Sequence, residues 1–185
     1  MKKSVLIIIG VIVVLIILFA AMYNGIVKSE EEVNSKYAGI ETDLQRRTDL
    51  IPNLVSTVKQ YAEHESEVFK QVNESREKLI GASSPEDLAS ADAEMTSSLN
   101  KLLAISEAYP ELKSNENFIN LQDELAGTEN RIAVSRKDYN ESVKTYNASI
   151  KTFPKVIFAN MFGFDEKEYF EASKGAENVP SVNFE

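Results

Sequence analysis

Apolar residues return every seven positions along most of this chain, and few patterns restrict a fold as tightly. One row reads Ile26, Val33, Ile40, Arg47, Leu54, Tyr61, Val68, and a second reads Tyr37, Leu44, Ile51, Val58, Glu65, Val72, Leu79. A heptad period keeps one face of a helix against neighbouring helices, so residues 26 to 80 are predicted helical and packed. Pro52 falls inside this stretch. Because it removes a backbone donor and crowds the preceding turn, the pattern admits one kinked helix or a tight turn near 48 to 52 capped by Thr48 or Asp49.

Gly81-Ala82-Ser83-Ser84-Pro85 is a break in which glycine ends one helix, serine caps the next and proline occupies its first turn. Leu88, Met95, Leu102 and Tyr109 then repeat every seven, widened by Leu99 and Leu103, until Pro110 forces a boundary. The last long helix carries Phe118, Leu125, Ile132, Tyr139, Tyr146 and Phe153, with a polar companion row of Thr128, Ser135 and Ser142. No strand-like alternation precedes residue 155. The fold class is therefore all-α, with one helical bundle over 26–153. Residues 154–185 form an aromatic-rich C-terminal tail holding Phe158, Phe162, Phe164, Tyr169, Phe170 and Phe184, with Gly163, Gly175 and Pro180. Such a tail docks on the bundle, lies at a bilayer interface or meets a partner.

Ahead of the heptads, residues 5–22 read VLIIIGVIVVLIILFAAM without a polar side chain. A helix of that length spans about 27 Å, close to the roughly 30 Å hydrocarbon core. Residues 1–25 are read as a retained anchor, because a secretory signal has a shorter apolar region and a cut after Ala21 would leave bulky Phe19 where a small side chain is preferred. Lipidation through cysteine is excluded, since the chain has none. Lys2 and Lys3 oppose Lys28 and Lys36 across the span, a balance that leans toward an extracytoplasmic domain on a single-pass cell-membrane protein.

The chain carries 20 basic and 29 acidic residues. Two of the basic ones, Lys2 and Lys3, precede the span, so the remainder is more acidic still. A phosphate-reading surface needs a basic patch, and the tight pair Arg46-Arg47 is followed at once by Asp49, so nucleic acid is not an expected partner.

Longer stretches resemble a known family. Arg46-Arg47-Thr48-Asp49-Leu50-Ile51-Pro52-Asn53-Leu54-Val55 and Val58-Lys59-Gln60-Tyr61-Ala62-Glu63-His64-Glu65 are followed by Tyr109-Pro110-Glu111-Leu112-Lys113 through Asn117-Phe118. Glu129-Asn130-Arg131-Ile132-Ala133 and Arg136-Lys137-Asp138-Tyr139-Asn140 come next, with Phe153-Pro154 and Tyr169-Phe170 beyond. In order and spacing this is similar to the LemA family. The resemblance implies a bacterial membrane protein whose N-terminal transmembrane helix leads into an up-and-down four-helix bundle. It also implies cell-envelope or membrane-organelle functions, with no enzymatic activity.

The residues themselves offer a few chemical candidates. His64-Glu65 is reminiscent of a zinc-protease pattern, but this is the single histidine, and a catalytic zinc site needs three protein ligands. No cofactor is expected, and no Gly-x-Ser-x-Gly elbow or phosphate-cradling loop is present. Arg47 and Glu65 occupy core-type positions and must be paired there. If a second helix starting at Asp49 runs parallel to one starting at Ser114, Glu65 comes level with Glu129, Arg131 and Arg136. The expectation is a structural polar layer or interaction site of Arg47, Asp49, His64, Glu65, Glu129, Arg131 and Arg136, with Glu65 paired to Arg131 or Arg136. A non-enzymatic protein-interaction or scaffold module with a membrane or envelope protein partner follows. The alternative is an enzyme accessory or weakly metal-dependent hydrolase centred on His64 and Glu65.

Overall fold

The computed structural model describes residues 2–170, and among them the chain is all-helical, with no strand. Gly175, Pro180 and Phe184 of the expected tail lie outside the described residues. The helices are α1 (Lys2–Lys59), α2 (Ser66–Gly81), α3 (Pro85–Ile105), a 3-10 turn (Ser106–Ala108), α4 (Pro110–Lys113), α5 (Glu116–Lys151) and α6 (Lys155–Phe162). They form two compact units. Among the described residues, the terminal unit comprises 2–38 with 138–168, and the central unit 39–137 with 169 and 170.

Of the two alternatives for residues 26 to 80, the helix continues through Pro52 rather than turning at 48 to 52, but it does not reach 80. The helix passes through Pro52 and stops at Lys59, with a turn over residues 60–65 before α2. Continuity through a proline leaves the carbonyl four residues earlier without its donor. Here that carbonyl belongs to Thr48, and Arg76 of α2 supplies the missing bond, Nε donating to Thr48 O at 3.1 Å. The turn closes on the backbone: Tyr61 and Ala62 N–H groups both donate to Val58 O, each at 3.0 Å, and Glu65 N–H donates to Ala62 O.

The central unit buries Ile40, Leu44, Ile51, Leu54 and Val58 of α1 together with Phe69, Val72 and Leu79 of α2. Leu88, Met95, Leu99 and Leu102 of α3 and Phe118, Leu125 and Ile132 of α5 complete its apolar core. Two helix entries are capped by short polar side chains, that of α3 as the sequence suggests. Ser84 Oγ accepts from Asp87 N–H at 3.1 Å, and Asn115 Oδ1 accepts from Phe118 N–H at 3.1 Å. Small polar residues in the interior satisfy each other, with Ser75 and Ser98 hydroxyls 2.7 Å apart.

The terminal unit buries Ile26 and Val33 of α1 with Tyr139, Val143, Tyr146 and Ile150 of α5. Burial pushes the phenols of Tyr139 and Tyr146 up to about 12. The heptad row of α5 does not extend to Phe153, which is 76% exposed because α5 has ended at Lys151. Gly163 closes α6 in the left-handed region, φ 73°, where a side chain would be strained. The chain then returns along α5. Asn147 holds it like a strand partner, Nδ2 donating to Lys167 O and Oδ1 accepting from Lys167 N–H, both at 2.9 Å. Tyr139 OH donates to Glu168 O at 2.8 Å, and Lys167 Nζ lies 2.7 Å from Glu30.

Residues 5–18 and Phe19 of α1 carry exposed apolar side chains, and this is the one helix among the described residues long and apolar enough to cross a membrane.

Candidate functional site

A charged layer crosses the middle of the central unit. Arg47 belongs to α1 and stands one heptad after Ile40, so the helix points it into the core, where only 5% of its side chain is exposed. Its Nη1 donates to Asp92 Oδ1 of α3 at 2.7 Å, and its Nη2 donates to Thr96 Oγ1 at 2.9 Å. Thr96 in turn donates to the Asp92 carbonyl at 2.9 Å. The second Asp92 oxygen takes Nη2 of Arg136 from α5. Glu129, also on α5, brings Oε2 within 2.8 Å of Arg47 Nη1, an electrostatic approach rather than an aligned hydrogen bond. Phe170 covers the outer face of Arg136, its ring centroid 4.7 Å from the guanidinium carbon.

Two guanidiniums and two carboxylates balance in this layer, yet the balance is not uniform. Burial pushes the Asp92 carboxyl above its usual range and outweighs the pull of Arg47 and Arg136 in the other direction, while Glu129 adds to the rise. Such a layer contributes little net stability relative to apolar packing, but it strongly penalises any alignment that leaves one charge alone. The layer joins one face each of α1, α3 and α5. The Nε atoms of Arg47 and Arg136 are buried without a hydrogen-bond acceptor, so every strong contact runs through the guanidinium tips.

Of the residues singled out from sequence, the structure brings together Arg47, Glu129 and Arg136 and leaves the others apart. Asp49 is exposed and accepts from Gln45 Nε2 at 2.7 Å. Arg131 is exposed and lies over Gly127. The expected Glu65 pair does not form: Arg136 is turned to Asp92, and Glu65 sits in the turn ahead of α2, its backbone oxygen accepting from Phe69 N–H. The physical reason is register. A helix that runs on to Lys59 places residue 65 beyond its end rather than on its core face. His64 is exposed in the same turn. Among the described residues, no cluster of three or more His, Asp and Glu side chains is placed to hold a metal ion.

Asp92 is the acid that the sequence reading does not name. It stands four residues after Leu88 and three before Met95, which is core spacing on a heptad helix, and it is 1% exposed. A carboxylate in that position signals a buried cation elsewhere, and Arg47 is the obvious one.

Away from the core, an open groove of about 440 Å³ lies on the central unit between Asn53, Ser56 and Thr57 of α1 and Asn117, Asn120 and Glu124 of α5. Its amides and hydroxyls share the lining with Leu121, and polar and apolar surface are about equal. Glu124 at its edge is paired with Arg46 at 3.0 Å.

The model of the LemA family matches residues 36–184. Two proteins named Magnetosome protein MamQ 1 and MamQ 2, from Paramagnetospirillum magneticum, are each 28% identical to the chain over 186 residues, covering 86% of it and 68% of their own length. Magnetosome protein MamQ of Magnetospirillum gryphiswaldense is similar with the same identity and coverage.

Proposed function

The chain belongs to the LemA family, and on that premise we propose that it is a membrane-anchored, non-enzymatic interaction module whose helices form an up-and-down bundle. The observation that carries this reading is how the charged residues are used. Arg47, Asp92 and Arg136, the charged groups that meet across the core, are spent on one another, while the open groove presents Asn, Ser and Thr side chains beside Leu121 and Glu124. Amide side chains donate and accept at once, which suits the main chain of a partner protein better than a reacting substrate. The name of the relatives, magnetosome protein, supports a role in a cellular assembly.

The partner is a membrane or envelope protein, and the helical domain faces the extracytoplasmic side, following the lysine balance across the span. Because the chain has no cysteine, Asn73→Cys supplies a single exposed thiol, and a membrane-impermeant maleimide reads the side in intact cells. The interaction is tested in cells with a photoreactive residue replacing Asn120. The expected result is reproducible capture of one membrane protein that Asn53→Lys abolishes. Capture of nothing but the chain itself, while a known complex is trapped in parallel, would overturn the proposal.

A further inference from the structure

The terminal unit carries an apolar surface that its own packing does not use. Between Phe153 and Phe164 the only ionisable residue is Lys155. One side of α6 packs on the end of the span: the Phe158 ring is 4.9 Å from Phe19, edge to face, and Phe162 is 6.0 Å from Phe19 and 5.1 Å from Tyr23. Phe164 follows at 5.8 Å from Tyr23. Beside that packed side, Phe153 just ahead of the helix and Ile157 and Met161, one turn apart on one of its faces, leave apolar surface uncovered. They are 76%, 53% and 59% exposed, and Phe162 is itself 47% exposed.

These contacts also fix depth. Phe19 lies inside the apolar run, so the part of α6 that touches it is at the edge of the hydrocarbon wherever the span is inserted. Lys155 places its amine 3.8 Å from where a side chain on Gly25 would begin, beyond the apolar run, which is the level a lysine reaches when its stem lies in lipid and its charge in the headgroups. Past Gly163 the chain becomes Asp165, Glu166, Lys167 and Glu168, and Lys167 meets Glu30 well outside the span. Charge is thus absent where the rings meet the span and returns on the water side. An exposed apolar surface continuous with a spanning helix, and free of charge along its length, matches acyl chains rather than an aqueous protein surface.

We propose that α6 is a second lipid contact, inserting Ile157 and Met161, with Phe153 just ahead of the helix, into the acyl-chain boundary beside the end of the span. This rests on the anchor reading of residues 5–22, and the experiment separates the two. Tryptophan is absent from the chain, so single variants Val14→Trp, Ile157→Trp and Met161→Trp each report one position in full-length protein reconstituted into phosphatidylcholine–phosphatidylglycerol vesicles. The vesicles contain lipid brominated either high or low on the acyl chain. Val14→Trp should be quenched most by the deep bromines. Ile157→Trp and Met161→Trp should be quenched at least half as strongly, and more by the shallow bromines than by the deep ones. Quenching at Val14 with none at either α6 position would overturn the proposal while leaving the anchor intact. In that case, emission that reddens on dilution among more vesicles would identify a second copy as the occupant. Absence of quenching at Val14 would remove the anchor and the proposal together.

Discussion

Each unit has an interior of its own chemistry. In the central unit the interior is crossed by Arg47, Asp92 and Arg136, charges on three helices that satisfy one another. In the terminal unit the interior is apolar and aromatic, and the return of the chain is secured by the Asn147 side chain on the backbone of Lys167, with charges kept to the peripheral Lys167–Glu30 and Lys151–Glu166 pairs. The difference follows from what each must do. A charged layer discriminates sharply between helix registers, because a misaligned partner leaves a bare charge in a dry interior. Next to a membrane-spanning helix, amide-to-backbone bonds and ring contacts hold the chain without placing charge near the hydrocarbon.

Removing one member of the charged layer should have the largest effect. Asp92→Leu strands Arg47 without its buried carboxylate and should lower unfolding free energy by about 3 to 5 kcal/mol, measured by urea denaturation of the full chain in detergent. In the terminal unit, Asn147→Ala removes two hydrogen bonds but leaves the Lys167 backbone free to find water, so a loss of about 1 to 3 kcal/mol is expected. Faster amide exchange confined to residues 164–168 would show that the strap itself had opened. A smaller change tests the bridge at Pro52. Arg76→Ala should cost about 1 kcal/mol, and the cost should shrink when Pro52→Ala restores an N–H for Thr48 O. Equal costs in both backgrounds would refute that bond.

The pH response sharpens the comparison further. Burial raises the Asp92 carboxyl in the folded state. Its contribution to stability is then fully present below the unfolded value of about 3.9 and is lost as pH rises through the folded value. Unfolding measured across that acidic range should show wild type losing stability relative to Asp92→Asn as pH rises. At the small end stands Lys36–Asp138, an exposed pair 3.3 Å apart, whose removal by Lys36→Ala should change melting within about 0.5 kcal/mol.

Much of the helical framework is legible in the sequence, because a heptad row states which face is buried without reference to a partner. Ile26, Val33, Ile40 and Leu54 are all buried, as are Phe118, Ile132, Tyr139 and Tyr146. The Ser84-Pro85 start of α3 is equally local and equally clear. What the pattern does not contain is information carried by distant residues. Whether Pro52 breaks the helix depends on a donor 28 residues beyond Thr48, and no rule of local propensity includes it. The same uncertainty displaces the candidate site. A turn at 48 to 52 shifts Glu65 into the core and sends Arg136 to it, whereas a helix running to Lys59 hands both arginines to Asp92. His64 and Glu65 look chemical as a dipeptide, but the geometry makes them a turn.

If the charged layer serves helix alignment, Arg47 and Asp92 are strongly coupled, and a double-replacement cycle on the two measures that coupling. Unfolding of wild type, Arg47→Met, Asp92→Leu and the double variant gives the coupling between the two positions. Two strongly destabilised singles and a double variant more stable than Asp92→Leu alone are predicted, short of wild type because Arg136 still lacks its carboxylate. Additive losses, with the double variant the least stable of the four, would contradict the account.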